Sequence, residues 1–209
     1  MAADHDAGCP GSGFVSAAEP ARIMSTEIKR IAVYGPESTG KTELAGRLAI
    51  HFRAPLVAEY ARERWDEQGA LGLDDMMPVA TEQWRREDAA AREAGPASAE
   101  TRSPVVICDT DALTTMLWSD LLYGTTPEEL RREAERRCRR YALYLLLDID
   151  VPFAPDPQRC FPDPADREKA MRIWRGALER RGLPFVLIQG NWAERENRAI
   201  AAVKSILAK

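Results

Sequence analysis

Two short stretches of this 209-residue chain carry residue types that handle phosphate. The first reads Gly35-Pro36-Glu37-Ser38-Thr39-Gly40-Lys41-Thr42 and continues into Glu43. Two glycines let the backbone wrap closely around a polyphosphate with its N–H groups turned inward. The helix opening near Lys41 adds about half a positive charge at its N-terminus. The Lys41 ammonium can reach the β- and γ-phosphates, and the Thr42 hydroxyl can ligate Mg²⁺. The spacing G-x-x-x-x-G-K-T is credible as a nucleotide-phosphate loop because a strand-like run precedes it and a helix-like run follows. The second stretch is Val105-Val106-Ile107-Cys108-Asp109-Thr110-Asp111. An acid ending a buried strand beside such a loop can hold Mg²⁺, and Asp109 fits that role. Asp111 either caps the following helix or contacts an acceptor, while Thr114 and Thr115 read as ordinary helix residues.

A third stretch, Ala58-Glu59-Tyr60-Ala61-Arg62-Glu63, begins where the second candidate strand ends. Glu59 there faces the cleft and can accept or orient the proton of an acceptor hydroxyl; the alternative is a plain acid at a helix start. Tyr60, Trp65, Trp84, Trp118 and Tyr123 can offer a stacking surface, or they are core aromatics. Arg159 and Arg167 lie in a Pro-rich region, 152–167, that reads as a lid. Arginines swung over a polyphosphate would neutralise developing charge, and a closed lid would exclude water. An exposed proline loop with solvated arginines is the other reading.

The elements that must position these groups follow from the apolar pattern. Candidate strands at 30–34, 55–58, 104–108, 141–147 and 184–188 are short and nearly continuously apolar, as in strands buried on both faces. Helix-like segments at 41–52, 60–94, 111–122, 127–140, 165–181 and 193–207 separate them. The alternation implies a parallel α/β sheet. A loop is expected at 94–98, and five prolines between 152 and 164 forbid regular structure there. Residues 1–25 read as a disordered leader, with Met24 an alternative start, and 26–209 as one domain. The run 131–140 holds six Arg against two Glu; pairs such as Glu128–Arg132 and Glu135–Arg139 would make it a solvated helix face, although a nucleic-acid patch is conceivable.

Composition excludes several classes. With two His, and His5 in the leader, only His51 could serve a triad, and a multi-His metal site is close to excluded. Four Cys without a CxxC spacing read as reduced, cytoplasmic thiols. A formal charge of −4 argues against a strongly cationic nucleic-acid or membrane binder. No secretory signal is expected from the small, acidic first residues, and the longest core-like run is far short of the ~20 residues a membrane span needs. The guanine-reading Asn-Lys-x-Asp is absent, since the asparagines are Asn191 and Asn197. Size and punctuation fit a small-molecule kinase better than a GTPase or a motor.

The loop at 35–42, together with Glu59-Tyr60-Ala61-Arg62, Gln83 and Asp109-Thr110-Asp111 with Thr114-Thr115, resembles the NadR-like P-loop proteins. The resemblance spans about residue 30 to the C-terminus. It implies a five-stranded parallel sheet with helices on both faces, and ATP- and Mg²⁺-dependent phosphorylation of the ribose 5′-hydroxyl of nicotinamide riboside. On that reading Lys41, Glu59, Asp109 and Arg159 are catalytic. Gly35, Glu37, Ser38, Thr39, Gly40, Lys41, Thr42, Glu43 and Arg167 hold the nucleotide. Glu59, Tyr60, Arg62, Trp84 and Asp111 hold the acceptor, and Thr42 and Asp109 the metal. The chain departs from the pattern in having Ala58 where many members carry an aromatic, and Asp156-Pro157-Gln158-Arg159 where an Asp-Gly precedes the lid arginine. It shows no H-x-G-H motif, so only the kinase half of the larger bifunctional members is expected. Rival readings are a kinase of another nucleoside-like acceptor and an ATP-binding regulatory module docking through the 131–140 helix.

Overall fold

The computed structural model describes Met1 and residues 27–94 and 104–208. Five strands, β1 (Lys29–Tyr34), β2 (Leu56–Val57), β3 (Val105–Asp109), β4 (Tyr141–Leu147) and β5 (Phe185–Ile188), form one parallel sheet in the order β2-β3-β1-β4-β5. Among the described residues seven α-helices accompany them: α1 (Lys41–Phe52), α2 (Tyr60–Gln68), α3 (Met76–Ala94), α4 (Thr114–Tyr123), α5 (Glu128–Arg137), α6 (Pro164–Arg181) and α7 (Trp192–Leu207).

The apolar runs of the strands are explained by two cores, one on each sheet face. Ile31 and Val33 of β1 join Leu44 and Leu48 of α1 and Ala199 and Val203 of α7. Ala32 and Tyr34, alternating with them, join Met116 of α4, Leu130 of α5 and Trp174 of α6 on the other face. Because all strands run parallel, their C-terminal ends share one edge, where the phosphate loop, Glu59, Asp109 and the Pro-rich segment all emerge. Register fixes the neighbourhood: Asp109 pairs with Val33, two residues before Gly35.

Three expected boundaries shift for identifiable reasons. The segment expected as one helix over 60–94 is two, because Gly69 closes α2 in the left-handed conformation at φ 76° and its N–H caps the Trp65 carbonyl. A 3₁₀ turn at Leu73–Asp75 then leads into α3. The helix expected from 111 starts at Thr114, since the Asp111 carboxylate accepts from the Leu113 and Thr114 amides at 2.8 and 2.9 Å. Arg167 belongs to the first turns of α6, which Asp163 caps through the Ala165 amide with Pro164 at the first helical position. The expected leader and residues 95–98 of the expected loop lie outside the described residues.

The arginine-rich run is paired, though not as expected. Arg136 and Arg137 bind Glu133, Arg131 binds Asp120, and Arg137 and Arg140 bind Asp88. Glu135 pairs with Arg181 of α6 rather than Arg139, and Arg132 lies 3.9 Å from Glu129 rather than on Glu128. No helix among the described residues is long and apolar enough to cross a membrane.

Candidate functional site

The phosphate loop is held in a conformation its residues would not adopt alone. Gly35 has φ 147°, and a Cβ there would stand 3.0 Å from the Leu147 carbonyl oxygen. Gly40, at φ 85°, would drive a Cβ to 2.5 Å from the Trp192 ring. Ser38 takes φ 55° and Thr110 φ 80°, so two non-glycine residues at this edge carry backbone strain. The Pro36 carbonyl ties the loop together, accepting from the Thr39 hydroxyl at 2.9 Å and the Lys41 ammonium at 2.8 Å. Gly40 then opens α1 without a side-chain cap, which leaves the first amides of the helix directed at the loop.

A cavity of about 750 Å³ extends from this loop. One wall holds Glu37, Ser38, Thr39, Gly40, Lys41, Thr42 and Glu43. The opposite wall, from α2, α3 and α4, holds Glu59, Arg62, Trp65, Met76, Val79, Gln83, Thr114, Thr115, Trp118 and Tyr123. Gln158, Arg159 and Cys160 of the Pro-rich segment complete it. The side chains thus pass from cationic and hydroxylic at one end to aromatic and apolar at the other.

Two carboxylates bear on the middle of the cavity: half-buried Glu59 in its wall, and Asp109, buried at the end of β3 and outside the lining. Burial pushes Glu59 up to about 7, with Asp109 adding to the rise and Lys41 and Arg62 opposing it. Burial likewise raises Asp109, while the Thr42 hydroxyl, Lys41 and Arg62 act against the shift. One oxygen of Asp109, Oδ1, is buried without a hydrogen-bond partner. An orphaned carboxylate oxygen beside a hydroxyl, both hard donors, fits a Mg²⁺ ion that takes its remaining ligands from water and phosphate. Among the described residues there is no group of three or more His, Cys, Asp or Glu that would cage a metal by protein alone.

Other expected site residues lie elsewhere. Trp84, expected at the acceptor, is 4% exposed in the core under the Arg137 guanidinium and does not line the cavity. Its neighbour Gln83 does, and its Oε1 accepts from the Tyr60 amide at 2.9 Å, fixing the start of α2 beside Glu59. Tyr60 lays its ring against Arg86 rather than in the cavity wall. Asp111 is occupied in holding α4 and receives the Thr114 hydroxyl at 2.7 Å. Arg167 donates to the Val151 carbonyl at 2.9 Å and does not line the cavity, whereas Arg159 does. Gly35 shapes the loop from outside the cavity wall. His51, in the last turn of α1, contacts Phe52 and takes no part.

One functional residue escaped sequence reasoning. Arg195 in the first turns of α7 is fully buried and donates to the carbonyls of Thr39, Gly190 and Asp148 at 3.0, 2.9 and 3.1 Å, and also to Asp150. It pins the phosphate loop to the ends of β4 and β5. The available signal was its place on the i, i+4, i+8 row with buried Ala199 and Val203.

Comparison with known proteins agrees with this geometry. A family model described as an AAA domain matches residues 30–195. The chain belongs to this family. It is also 22% identical over 196 residues to the trifunctional NAD biosynthesis/regulator protein NadR of Escherichia coli (strain K12), covering 91% of this chain and 45% of that one. The NadR of Salmonella typhimurium gives the same figures, so the chain spans about half the length of the curated relatives it matches. A crystal structure of NadR protein in complex with NR superposes with a TM-score of 0.67 at 27% identity, over 87% of this chain and 52% of that one. One in complex with NAD and AMP-PNP gives 0.65 at 25%, over 87% and 50%. Thymidylate kinase from Ehrlichia chaffeensis, at 13% identity and TM-score 0.59 over 84% of this chain and 98% of that one, shares the fold. The fold of this AAA-domain family member is therefore that of a NadR-like P-loop kinase, as the motifs implied.

Proposed function

We propose that the protein is a cytoplasmic Mg²⁺- and ATP-dependent kinase that phosphorylates the ribose 5′-hydroxyl of nicotinamide riboside. The observation that carries this reading is a cavity that brings the phosphate loop, Glu59 and an aromatic wall together, with the buried Asp109 carboxylate behind it on the Thr42 hydroxyl. Likeness to NadR structures holding NR and AMP-PNP supports the choice of both ligands.

Each side chain has a task that its surroundings suit. The loop amides and Lys41 receive the polyphosphate, and Lys41 can exchange the Pro36 carbonyl for phosphate oxygens. Asp109 and Thr42 would hold Mg²⁺, which when bound offsets charge on the transferring phosphoryl group. Glu59, with its pKa near neutrality, takes the proton of the acceptor hydroxyl; a base of that strength can be ionised before transfer and protonated after it. Trp65, Trp118 and Tyr123 offer flat apolar area to the acceptor base. Arg159 stands against the loop, with its Nη1 3.4 Å from Ser38 Oγ, where it can meet charge on the phosphates.

The test is incubation with Mg-ATP and a panel of nicotinamide riboside, common nucleosides and nucleoside monophosphates, following ADP. Release that depends strongly on nicotinamide riboside supports the reading. Release that depends on another acceptor moves the specificity, and slow release independent of every acceptor overturns the kinase assignment.

A further inference from the structure

Glu37 sits in the phosphate loop beside Lys41 and the N-terminus of α1, both of which favour an anion. A carboxylate there opposes a polyphosphate unless other donors hold it aside. The structure shows those donors. The Cys160 amide donates to both Glu37 oxygens at 2.9 and 3.1 Å, and the Phe161 amide donates to Oε1 at 2.6 Å. Next along the loop, Ser38 Oγ accepts from the Ala154 amide at 2.8 Å. Across the cavity, Arg62 donates to Asp156 at 2.5 Å and Gln158 Nε2 to Asp66 at 2.7 Å, both on α2 behind Glu59. The segment between α6 and β4 is thus strapped to the donor loop at one end and to the acceptor helix at the other. Four prolines at 152, 155, 157 and 162 deprive it of a backbone ladder of its own, so these few bonds set its position. Arg159 lies between the straps, and the Phe161 ring stacks on Trp118 with centroids 5.8 Å apart and planes 2° apart.

We propose that Glu37 is a positioning residue: its carboxylate docks the Pro-rich segment onto the phosphate loop and thereby sets where Arg159 stands at the polyphosphate. The kinetic consequence rests on the phosphotransferase reading above; the docking does not. A carboxylate held by the segment's amides has part of its charge offset by them, so the same three hydrogen bonds lessen a repulsion and place a cation. The conventional reading of the loop, in which each of its residues serves the nucleotide directly, does not account for these bonds.

The experiment compares wild type, Glu37→Ala and Glu37→Gln. Amide hydrogen exchange, resolved by fragmentation at Cys160 and Phe161, should accelerate about tenfold or more in Glu37→Ala, the loss expected for hydrogen bonds to a charged acceptor. Glu37→Gln keeps an acceptor oxygen and should fall between. With Mg-ATP and the best acceptor, kcat should drop by up to about 100-fold, as for a displaced catalytic group, with KM for ATP changed much less. ADP release without acceptor should rise relative to transfer. Unchanged exchange at both amides in Glu37→Ala overturns the docking. Faster exchange with wild-type kcat and a wild-type ratio of transfer to hydrolysis overturns the positioning role. A wild-type protein that transfers phosphate to no acceptor defeats the function proposed above and the kinetic part of this inference with it, while exchange still decides whether Glu37 docks the segment.

Discussion

Replacing Arg195 by Met keeps most of the side chain's length and removes its charge and all of its donors. Three carbonyls, of Thr39, Gly190 and Asp148, then lose a donor in a buried setting, and Asp150 loses its cation. Breaking one side of a buried pair costs about 3–5 kcal/mol. The Asp150 side chain is 36% exposed and still accepts from the Gly190 amide at 2.6 Å, so water and that bond offset part of the loss. The lower end, about 3 kcal/mol, is the better expectation, and at roughly 2–4 °C per kcal/mol for a domain of this size Tm should fall by about 6–12 °C. Scanning calorimetry measures that shift directly. A second consequence is local: with the Thr39 carbonyl untied, the loop loses order, and affinity for a nonhydrolysable ATP analogue should weaken about tenfold, the worth of one charge-assisted bond. Arg195→Lys, with one ammonium for four acceptors, should recover only part of either effect. A Tm within about 2 °C of wild type, together with unchanged analogue affinity, would refute the reasoning that this residue pins the loop.

Three further expectations can be checked with the same preparations. Lys41→Ala should abolish turnover while leaving Tm near wild type, because the hydrogen bond that the ammonium makes is to the Pro36 carbonyl of its own loop; full activity would remove Lys41 from the site. Glu59→Gln should lower kcat/KM by about 10²–10⁴. In wild type kcat/KM, which reports the free enzyme, should rise with pH through about 7 as Glu59 ionises beside Asp109, and a Gln variant retaining that limb and wild-type turnover would end the proton-acceptor role. Glu87, 3% exposed and held by the Tyr141 hydroxyl at 2.6 Å, has its pKa pushed up by burial from 4.5 to about 7. The folded state therefore binds this proton more tightly than the unfolded chain, and stability present below about pH 4.5 is lost as pH rises through about 7. The loss is on the order of 3 kcal/mol. Denaturant unfolding of Glu87→Gln over that window should give a flatter curve than wild type, and parallel curves would count against it.

What could be read in the sequence divides along a physical line. The phosphate loop was legible because backbone geometry, charge and helix start are all written within eight residues, and Gly35 and Gly40 meet steric demands that no other residue satisfies. Asp109 was legible because a buried parallel strand must end at the sheet edge that carries the loop. The side chains on helices were harder. Gln83 and Trp84 are adjacent, and the ~100° turn between them sends one into the cavity and the other into the core. Choosing between them requires knowing how α3 is rotated against the sheet, and tertiary packing sets that rotation. Asp111 could serve an acceptor or a helix start, and the Leu113 and Thr114 amides claimed it. The bonds from Glu37 to the Cys160 and Phe161 amides and from Arg195 to the Thr39 carbonyl each span more than a hundred residues, so the local pattern that marks Arg195 as buried does not say what it holds.

The net charge of −4 opposes approach of a polyphosphate at long range, so affinity for one must come from contacts made within the site. The structure supplies those at short range, where a partly open cleft screens charges less than bulk water does: loop amides, Lys41 and Arg159 at one end, with Glu37 bonded to the lid amides. The carboxylates that remain, Glu59 and Asp109, are raised by burial and each weighed against the same Lys41 and Arg62. A cation arriving beside Asp109 would favour the ionised form of both. On the function proposed above, nucleotide with its metal and the readiness of Glu59 to accept a proton would thereby be linked: the ligand that brings the phosphoryl group would also help to ionise the base that its acceptor needs.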